Sequence, residues 1–402
     1  MKRLALLIML VGCLGACSVS EVQDRDWLRE DWKTVEDGAR ETTVRFYMWG
    51  GSAPINKWVD TYVADQVKKR YGVSLIRVPM DAGVFVNKLL AEKRGGRKTG
   101  TIDLLWVNGE NFKALREADA LYGPYAEKCP NFLKYVNKKL ASTDFGYPVD
   151  GYETPYGWAQ FVFEYDGART KSVPDGFAEL REWVRDNPGK FTYPQPPDFT
   201  GSAFIRQAFY AVTGGPEQYL GGWDRELFER QAPRLWQYLN DLKPYLWQHG
   251  RSHPKSIAEQ DTLFARGEVD INMSYHPLHA QGKVQEGVYP KSVRTFVMRE
   301  GSIFNLHFTA IPANAPNKAG AMVVANFLMS PEAQLSKYVP AKWGDYPAID
   351  LGALPQESRD RFASVDLGSS TLGREALSAV AVPEIPVEYL EALEKGWEEH
   401  VR

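Results

Sequence analysis

The sequence predicts an α/β protein built on open, mainly parallel sheets, and three stretches carry that prediction. Thr43-Val44-Arg45-Phe46-Tyr47-Met48-Trp49 is a β-rich run closed by Gly50-Gly51-Ser52 and Pro54. Residues 55–70 place Ile55, Val59, Tyr62, Val63 and Val67 at helical spacing, and Gly72 stops them ahead of a second strand, Val73–Val78. Strand, helix and strand fall within about 35 residues, the length of a βαβ unit with parallel strands. The pattern then recurs: a helix over 83–94, a loop over 95–100, and a third strand, Ile102–Val107, turning through Asn108-Gly109-Glu110-Asn111 into the helix Phe112–Ala118. Open α/β sheets bind ligands outside the carboxyl ends of their strands, which directs attention to Trp49–Ser52, Pro79–Gly83 and Asn108–Asn111.

Further along, residues 151–166 read as one long strand that crosses between lobes. Helices are expected over Phe177–Arg185, 203–212 and Ile257–Arg266, with a strand at Val269–Met273. Ser330-Pro331 sets a helix start, Ser as N-cap and Pro at the first helical position. A last helix runs over 386–401.

The N-terminus says where the chain works. Lys2 and Arg3 precede an apolar run over residues 4–11, too short to span a bilayer, and Leu14-Gly15-Ala16-Cys17 has the form of a lipobox. Residues 1–17 read as a lipoprotein-type signal, with Cys17 the lipidated residue and Cys13 the alternative. The expected product is exported and membrane-anchored, periplasmic or at the cell surface, with acyl chains in the membrane surface. Residues 18–42 read as a tether with an amphipathic lead-in around Trp27 and Trp32.

Composition narrows the function. The formal net charge of −3 becomes two units more negative once Lys2 and Arg3 are removed, and no basic stripe with interleaved aromatics suggests nucleic acid. Of three cysteines only Cys129 lies beyond the leader, which leaves no intrachain disulfide and a lone thiol best read as buried. Twelve Trp, 20 Tyr and 19 Phe give an aromatic supply beyond core needs, able to stack on a flat or cationic solute.

Motifs for catalysis are missing. The chain has no G-x-S-x-G and no H-E-x-x-H, and Gly95-Gly96-Arg97-Lys98-Thr99 fails as a phosphate loop because Arg97 stands where glycine belongs. His249 with His253, and His276 with His279, have helical ligand spacing, but Pro254 and Pro277 interrupt them; no metal and no cofactor is expected. Gly50-Gly51-Ser52 and Thr200-Gly201-Ser202 each precede an expected helix, whose free N–H groups could receive a polar solute.

Leu263-Phe264-Ala265-Arg266-Gly267-Glu268-Val269-Asp270-Ile271-Asn272-Met273 resembles the helix, Gly-Glu-Val, strand unit of extracellular solute-binding proteins of ABC importers. Thr309–Lys318 and Ala325–Gln334 resemble the return of such chains into their first lobe, and Trp49–Ser52 with Lys342-Trp343-Gly344-Asp345 is similar to one branch of that family. The resemblance, over roughly residues 43–350, implies a two-lobed periplasmic-binding-protein-like fold of the class II type, joined by crossovers at 153–165 and 298–312. It implies a first lobe of 43–157 plus 301–345, a second of 158–300, and a C-terminal segment, 346–402, packing on the second lobe or across the hinge.

The function so implied is capture of a small polar solute by hinge closure and its delivery to an ABC permease and ATPase, by a monomer with no enzymatic activity. Branches of the family take iron, polyamines or thiamine-like molecules, and Tyr275-His276 does not supply the adjacent tyrosines of the iron sites. Trp49, Trp158, Tyr275 and Trp343, with Glu110 as counter-charge, suit an aromatic or cationic solute. The expected binding set is completed by Gly51, Ser52, Asn108, Asn111, Gln160, Thr200, Gly201, Ser202 and Asn305. Two other readings stay open: a surface-anchored hydrolase acting on a glycan, and a sensory protein that presents its ligand to a receptor.

Overall fold

The computed structural model describes residues 25–402; the two candidate lipidation cysteines lie outside the described residues. In chain order the strands are β1 (Thr43–Met48), β2 (Ser74–Pro79), β3 (Leu104–Val107), β4 (Thr143–Asp144), β5 (Tyr147–Pro148), β6 (Glu153–Gln160), β7 (Val162–Asp166), β8 (Ile271–Ser274), β9 (Val293–Phe296), β10 (Ser302–Ala310) and β11 (Ala381–Pro383). In the first sheet β1 runs parallel to its two neighbours, β2 at the edge and β3 on the other side, as the βαβ reading requires. It continues through β10, antiparallel to both β3 and β6 and parallel to β11. β6 is buried at every position, polar Glu153, Thr154 and Gln160 included, so it shows no alternation between a buried and an exposed face.

The second sheet departs from the expected parallel order. β7 pairs antiparallel with both β8 and β9. The reason is connectivity: β7 follows directly from β6, and β9 returns to β10 through Val297–Gly301, so one pair of neighbouring links brings both strands through the hinge. The single strand expected over 151–166 is thus two, broken at Phe161, whose N–H donates to Ile303 O at 2.8 Å.

Each sheet carries its own core. One gathers Val44, Phe46, Leu104, Leu105, Phe308 and the apolar helix Lys318–Leu328. The other gathers Phe161, Phe163, Phe204, Leu239, Met273 and Trp397. Residues 32–39, expected within the tether, form a helix capped by Asp31. Its Val35 and Ala39 are fully buried in the first core, because the amphipathic lead-in has the helix Lys318–Leu328 to cover. The C-terminal run contributes to both cores: Tyr346, Ile349, Phe362 and Leu377 to the first, Ile385, Tyr389, Leu393 and Trp397 to the second. β11 lies between them, a third passage of the chain from one core to the other. Local expectations hold at Ser330, whose Oγ caps the helix Pro331–Tyr338 through Ala333 N, and at the final helix, Val387–His400.

Candidate functional site

Where the two cores face each other, the loop after β3 and the β4–β5 turn meet the helix Phe199–Thr213 and the C-terminal run. Gly109 has φ +57°, a left-handed conformation that suits glycine, and its N–H donates to the Asp144 carboxylate at 2.5 Å. Asn305 Nδ2 donates to the other Asp144 oxygen at 3.2 Å. Burial drives the Asp144 carboxyl up to about 7 against these two hydrogen bonds, and Glu110 and Glu384 raise it further. Phe145, itself at φ +45°, turns its ring toward Phe199 with centroids 6.3 Å apart, and the Arg206 guanidinium lies 5.4 Å from the same ring.

Arg206 is the one cation in the otherwise apolar and small-residue helix Phe199–Thr213. Its Nε and Nη2 both donate to Glu384 at 2.8 Å, and Tyr275 Oη donates to Glu384 at 2.5 Å. The guanidinium is thereby spent on one carboxylate. Two further acids stand near it: Glu110, raised by burial and by Glu394 and Glu391, and Glu394, raised by burial and by Glu391, with Ser202 Oγ donating to it. Across the gap Lys113 donates to Glu388, an ion pair between the helix Glu110–Glu117 and the final helix.

Beside this acidic group stands an aromatic one. Trp343 packs against Trp58, Trp106, Tyr156 and His307, with centroids 5.1–6.2 Å apart, and its Nε1 donates to His276 Nε2 at 2.9 Å. Asp345, two residues on, accepts from the buried Lys337 ammonium at 2.8 Å and from the Trp158 N–H at 3.3 Å. The Lys-Trp-Gly-Asp stretch therefore locks an aromatic ring to β6.

The expected binding residues divide sharply. Glu110, Asn305, Tyr275 and Ser202 belong to the acidic group, and Asn111 Nδ2 donates to Glu110 at 2.5 Å. Asn108 accepts from Trp106 Nε1 at 3.2 Å and donates to Leu306 O at 2.7 Å, so it joins the acidic and aromatic groups. Trp158 packs on Phe304 at a tilt of 44° with centroids 4.0 Å apart, under the Arg374 guanidinium, and Gln160 binds Trp158 and Leu377 O. Trp49 is 43% exposed, Gly51 lies beneath its ring, and Ser52 heads a five-residue helix. Among the described residues, no hydrogen bond or ring contact joins these three to the acidic group.

Thr200 and Gly201 require a correction. The helix begins at Phe199, ahead of them, and Asp198 Oδ1 accepts from both of their N–H groups at 3.0 Å. The N–H groups of Thr200, Gly201 and Ser202 are therefore all taken within the protein. A Cβ on Gly201 would stand 2.0 Å from Pro194 O, so its glycine serves close packing.

Sequence reasoning missed Trp106, Asp144, Phe145, Arg206, His307, Glu384 and Glu394. Arg206 carried a readable signal, a charge amid FTGSAFIRQAFYAVT that burial obliges to find a partner. Glu384 and Glu394 carried none, because only the third passage of the chain brings them in.

The histidine pairs separate as the prolines suggested. His276 serves Trp343, while His279 bridges Glu164 at 2.8 Å and Asp261 at 3.1 Å, with Asn272 and Tyr289 satisfying the same carboxylates. Burial lowers the His279 imidazole, but the two carboxylates prevail and lift it to about 10. An imidazolium so placed supplies the positive charge of that group. A hollow of about 520 Å³ on the second core's side, lined by Trp247, His253, Lys255 and Trp397 among others, shares no residue with the interlobe groups.

Two lobes, each with its own core, a triple passage between them and a polar, aromatic-walled meeting face have the architecture of a receptor that closes on a solute. The chain belongs to the family described as bacterial extracellular solute-binding protein, whose model matches residues 62–357. It is 42% identical to the Escherichia coli protein YnjB over 83% of this chain and 86% of that one. It is 23% identical to the E. coli spermidine/putrescine-binding periplasmic protein, over 88% of this chain and 92% of that one. Among solved structures, the periplasmic binding protein AfuA of Actinobacillus pleuropneumoniae, with fructose-6-phosphate bound, superposes with a TM-score of 0.62 at 16% identity, over 90% and 99% of the two chains. The protein is an exported, non-catalytic solute-binding component of an ABC importer, with the two-lobed fold of its class. Its solute is small and polar and passes to the permease and ATPase complex.

Proposed function

We propose that the solute is a small organic cation, held between the lobes by Glu110, Asp144 and Glu394. The observation that carries this reading is the charge balance of the gap: Arg206, its nearest cation, is bidentate to Glu384, and among the described residues no ion pair reaches the other three carboxyls. Such carboxyls are raised by burial while empty, and a cation that replaces water ionises and satisfies them together. Polyamine binding in the E. coli relative is in keeping with this chemistry. Trp158 and Phe304, inclined at 44° to each other, give the solute an apolar wall.

Closure follows from the same geometry. Asp144 and Glu110 precede the helix or turn of one lobe, whereas Glu394 and Arg206 stand on helices of the other, so a cation bound by both sets favours the closed arrangement. The lobes take the limits 43–157 plus 301–345 and 158–300, with 346–402 belonging to both. Cys17 carries the lipid anchor; a Cys17→Ala chain that still incorporates labelled palmitate would transfer that role to Cys13.

Titration calorimetry with spermidine, putrescine and n-butylammonium tests the cation. Glu110→Gln and Asp144→Asn should each weaken the amine that binds by tenfold or more. Tight binding of a carboxylate solute instead, unaffected by Glu110→Gln, would assign the gap to the unpartnered Nη1 of Arg206 and overturn the proposal.

A further inference from the structure

The aromatic group beside the acids has hydrogen-bonding capacity that the protein itself leaves unused. An indole N–H only donates, so the 2.9 Å contact from Trp343 makes His276 Nε2 a lone-pair acceptor and places that ring's hydrogen on Nδ1. Nδ1 is shielded from solvent and has no partner, and the same is true of the Tyr156 hydroxyl. His307 stacks on Trp343 and meets the edge of Trp106, yet its nearest polar neighbour is Asp345, 3.9 Å from Nε2, beyond hydrogen-bond reach. Three polar groups thus surround the Trp343 and Trp106 rings with hydrogen-bonding capacity unmet by the protein.

The enclosure is built for an uncharged guest. Lys337 lies 5.6 Å from the Trp343 ring and is paired with Asp345 at 2.8 Å, so the one carboxylate there is already neutralised and offers a second cation no unpaired partner. Burial, with Lys337 behind, holds both imidazoles unprotonated, His276 down at about 3 and His307 well below its ordinary value. Neither ring can offer positive charge to an anion. What remains is a neutral donor and acceptor set between indole faces.

We infer that His276, His307 and Tyr156, walled by Trp106 and Trp343, form a second half-site that takes a neutral hydrogen-bonding group of the solute, such as an amide or a heteroaromatic nitrogen. This rests on the cation reading, which it deepens. Asn305, which touches Asp144, and His307 share one face of β10 two residues apart, so the charge and the neutral group of the solute are separated by roughly 7 Å. The solute is then asymmetric, positive at one end and uncharged at the other. A symmetric diamine would bring its second ammonium to a place whose one carboxylate is already paired with Lys337.

Calorimetry on the exported chain with N-acetylputrescine, putrescine and n-butylammonium decides the matter. N-acetylputrescine should bind at least tenfold more tightly than either of the others, and His276→Leu should narrow that ratio to threefold or less. Putrescine binding as tightly as its acetylated form would leave the cation reading standing and overturn the neutral half-site. Failure of all three amines would overturn both. Should His276→Leu not fold, nitrogen NMR of the unsubstituted chain replaces it: hydrogen on Nδ1 and none on Nε2 at pH 6 is expected, and a doubly protonated ring overturns the assignment.

Discussion

Arg206 and Glu384, 178 residues apart, face each other through two 2.8 Å hydrogen bonds with side chains only 1% and 2% exposed. The pair ties the helix Phe199–Thr213 to the residue after β11, where the chain makes its third passage between the cores. Removing one member strands the other as a buried charge. Arg206→Met or Glu384→Gln is therefore expected to cost about 3 kcal/mol or more, whereas Arg206→Met with Glu384→Leu should cost clearly less than the two single changes combined. Urea unfolding of the three variants checks this; strictly additive losses would show that the pair does not act as a unit.

Asp144 links pH to both stability and binding. The folded chain holds this proton up to about pH 7, while the unfolded chain releases it near 3.8. The unligated protein therefore loses stability from this group as pH rises across that window, and the loss is complete above it. Affinity for a cation moves the other way and strengthens as the carboxylate ionises. Affinity measured from pH 5.5 to 8 should rise in the parent chain and rise less in Asp144→Asn, where only Glu110 and Glu394 are left to ionise.

His279 has the opposite bearing on stability. Glu164 and Asp261 lift it from 6.5 to about 10, so the folded chain binds a proton that the unfolded chain gives up. Its contribution is whole below about pH 6.5 and is lost as pH rises through 10. His279→Gln leaves the two acids without their cation and is expected to cost about 3 kcal/mol at pH 7. The difference in melting temperature between parent and variant should shrink steadily from pH 7 to 10.

Lys113 and Glu388 form a partly exposed bridge across the gap, with side chains 20% and 36% accessible. A pair so hydrated is worth about 0.5–1 kcal/mol, enough to shift an open–closed balance a few-fold without harming either core. Lys113→Glu should weaken solute binding about two- to fivefold and enlarge the radius of gyration of the unligated chain in X-ray scattering. Adding Glu388→Lys should return both toward the parent.

Much of the first sheet was legible because its information is local. Val44, Phe46 and Met48 alternate on β1, Gly72 halts the helix that follows, and those signals act within a few residues of one another. The second sheet was not, since the direction of β8 and β9 depends on how the chain passes Phe161 and Gly301 and not on the composition of either strand. The site divides the same way. Asn108 and Glu110 follow a strand end and could be read from it, whereas Asp144, Glu384 and Glu394 matter through partners 35 to 192 residues distant. Trp343 was found for its ring, but its role lies in the N–H it gives to His276.

Gly201 separates two explanations that the sequence alone cannot. A glycine in Thr200-Gly201-Ser202 permits a solute to approach the backbone, or it permits the backbone to approach itself. The structure selects the second: an added Cβ would lie 2.0 Å from Pro194 O and 2.7 Å from its carbonyl carbon, atoms of the main chain that cannot swing aside. Asp198 already holds the Thr200 and Gly201 N–H groups and the Ile257 N–H, so any shift of the helix start also breaks that cap. Gly201→Ala is expected to cost about 3 kcal/mol or more, at the severe end for overpacking. Measured below its lowered melting point, the variant should still bind the solute within about twofold of the parent, as expected of sites that share no partner. A large loss of affinity without loss of stability would return Gly201 to the binding surface.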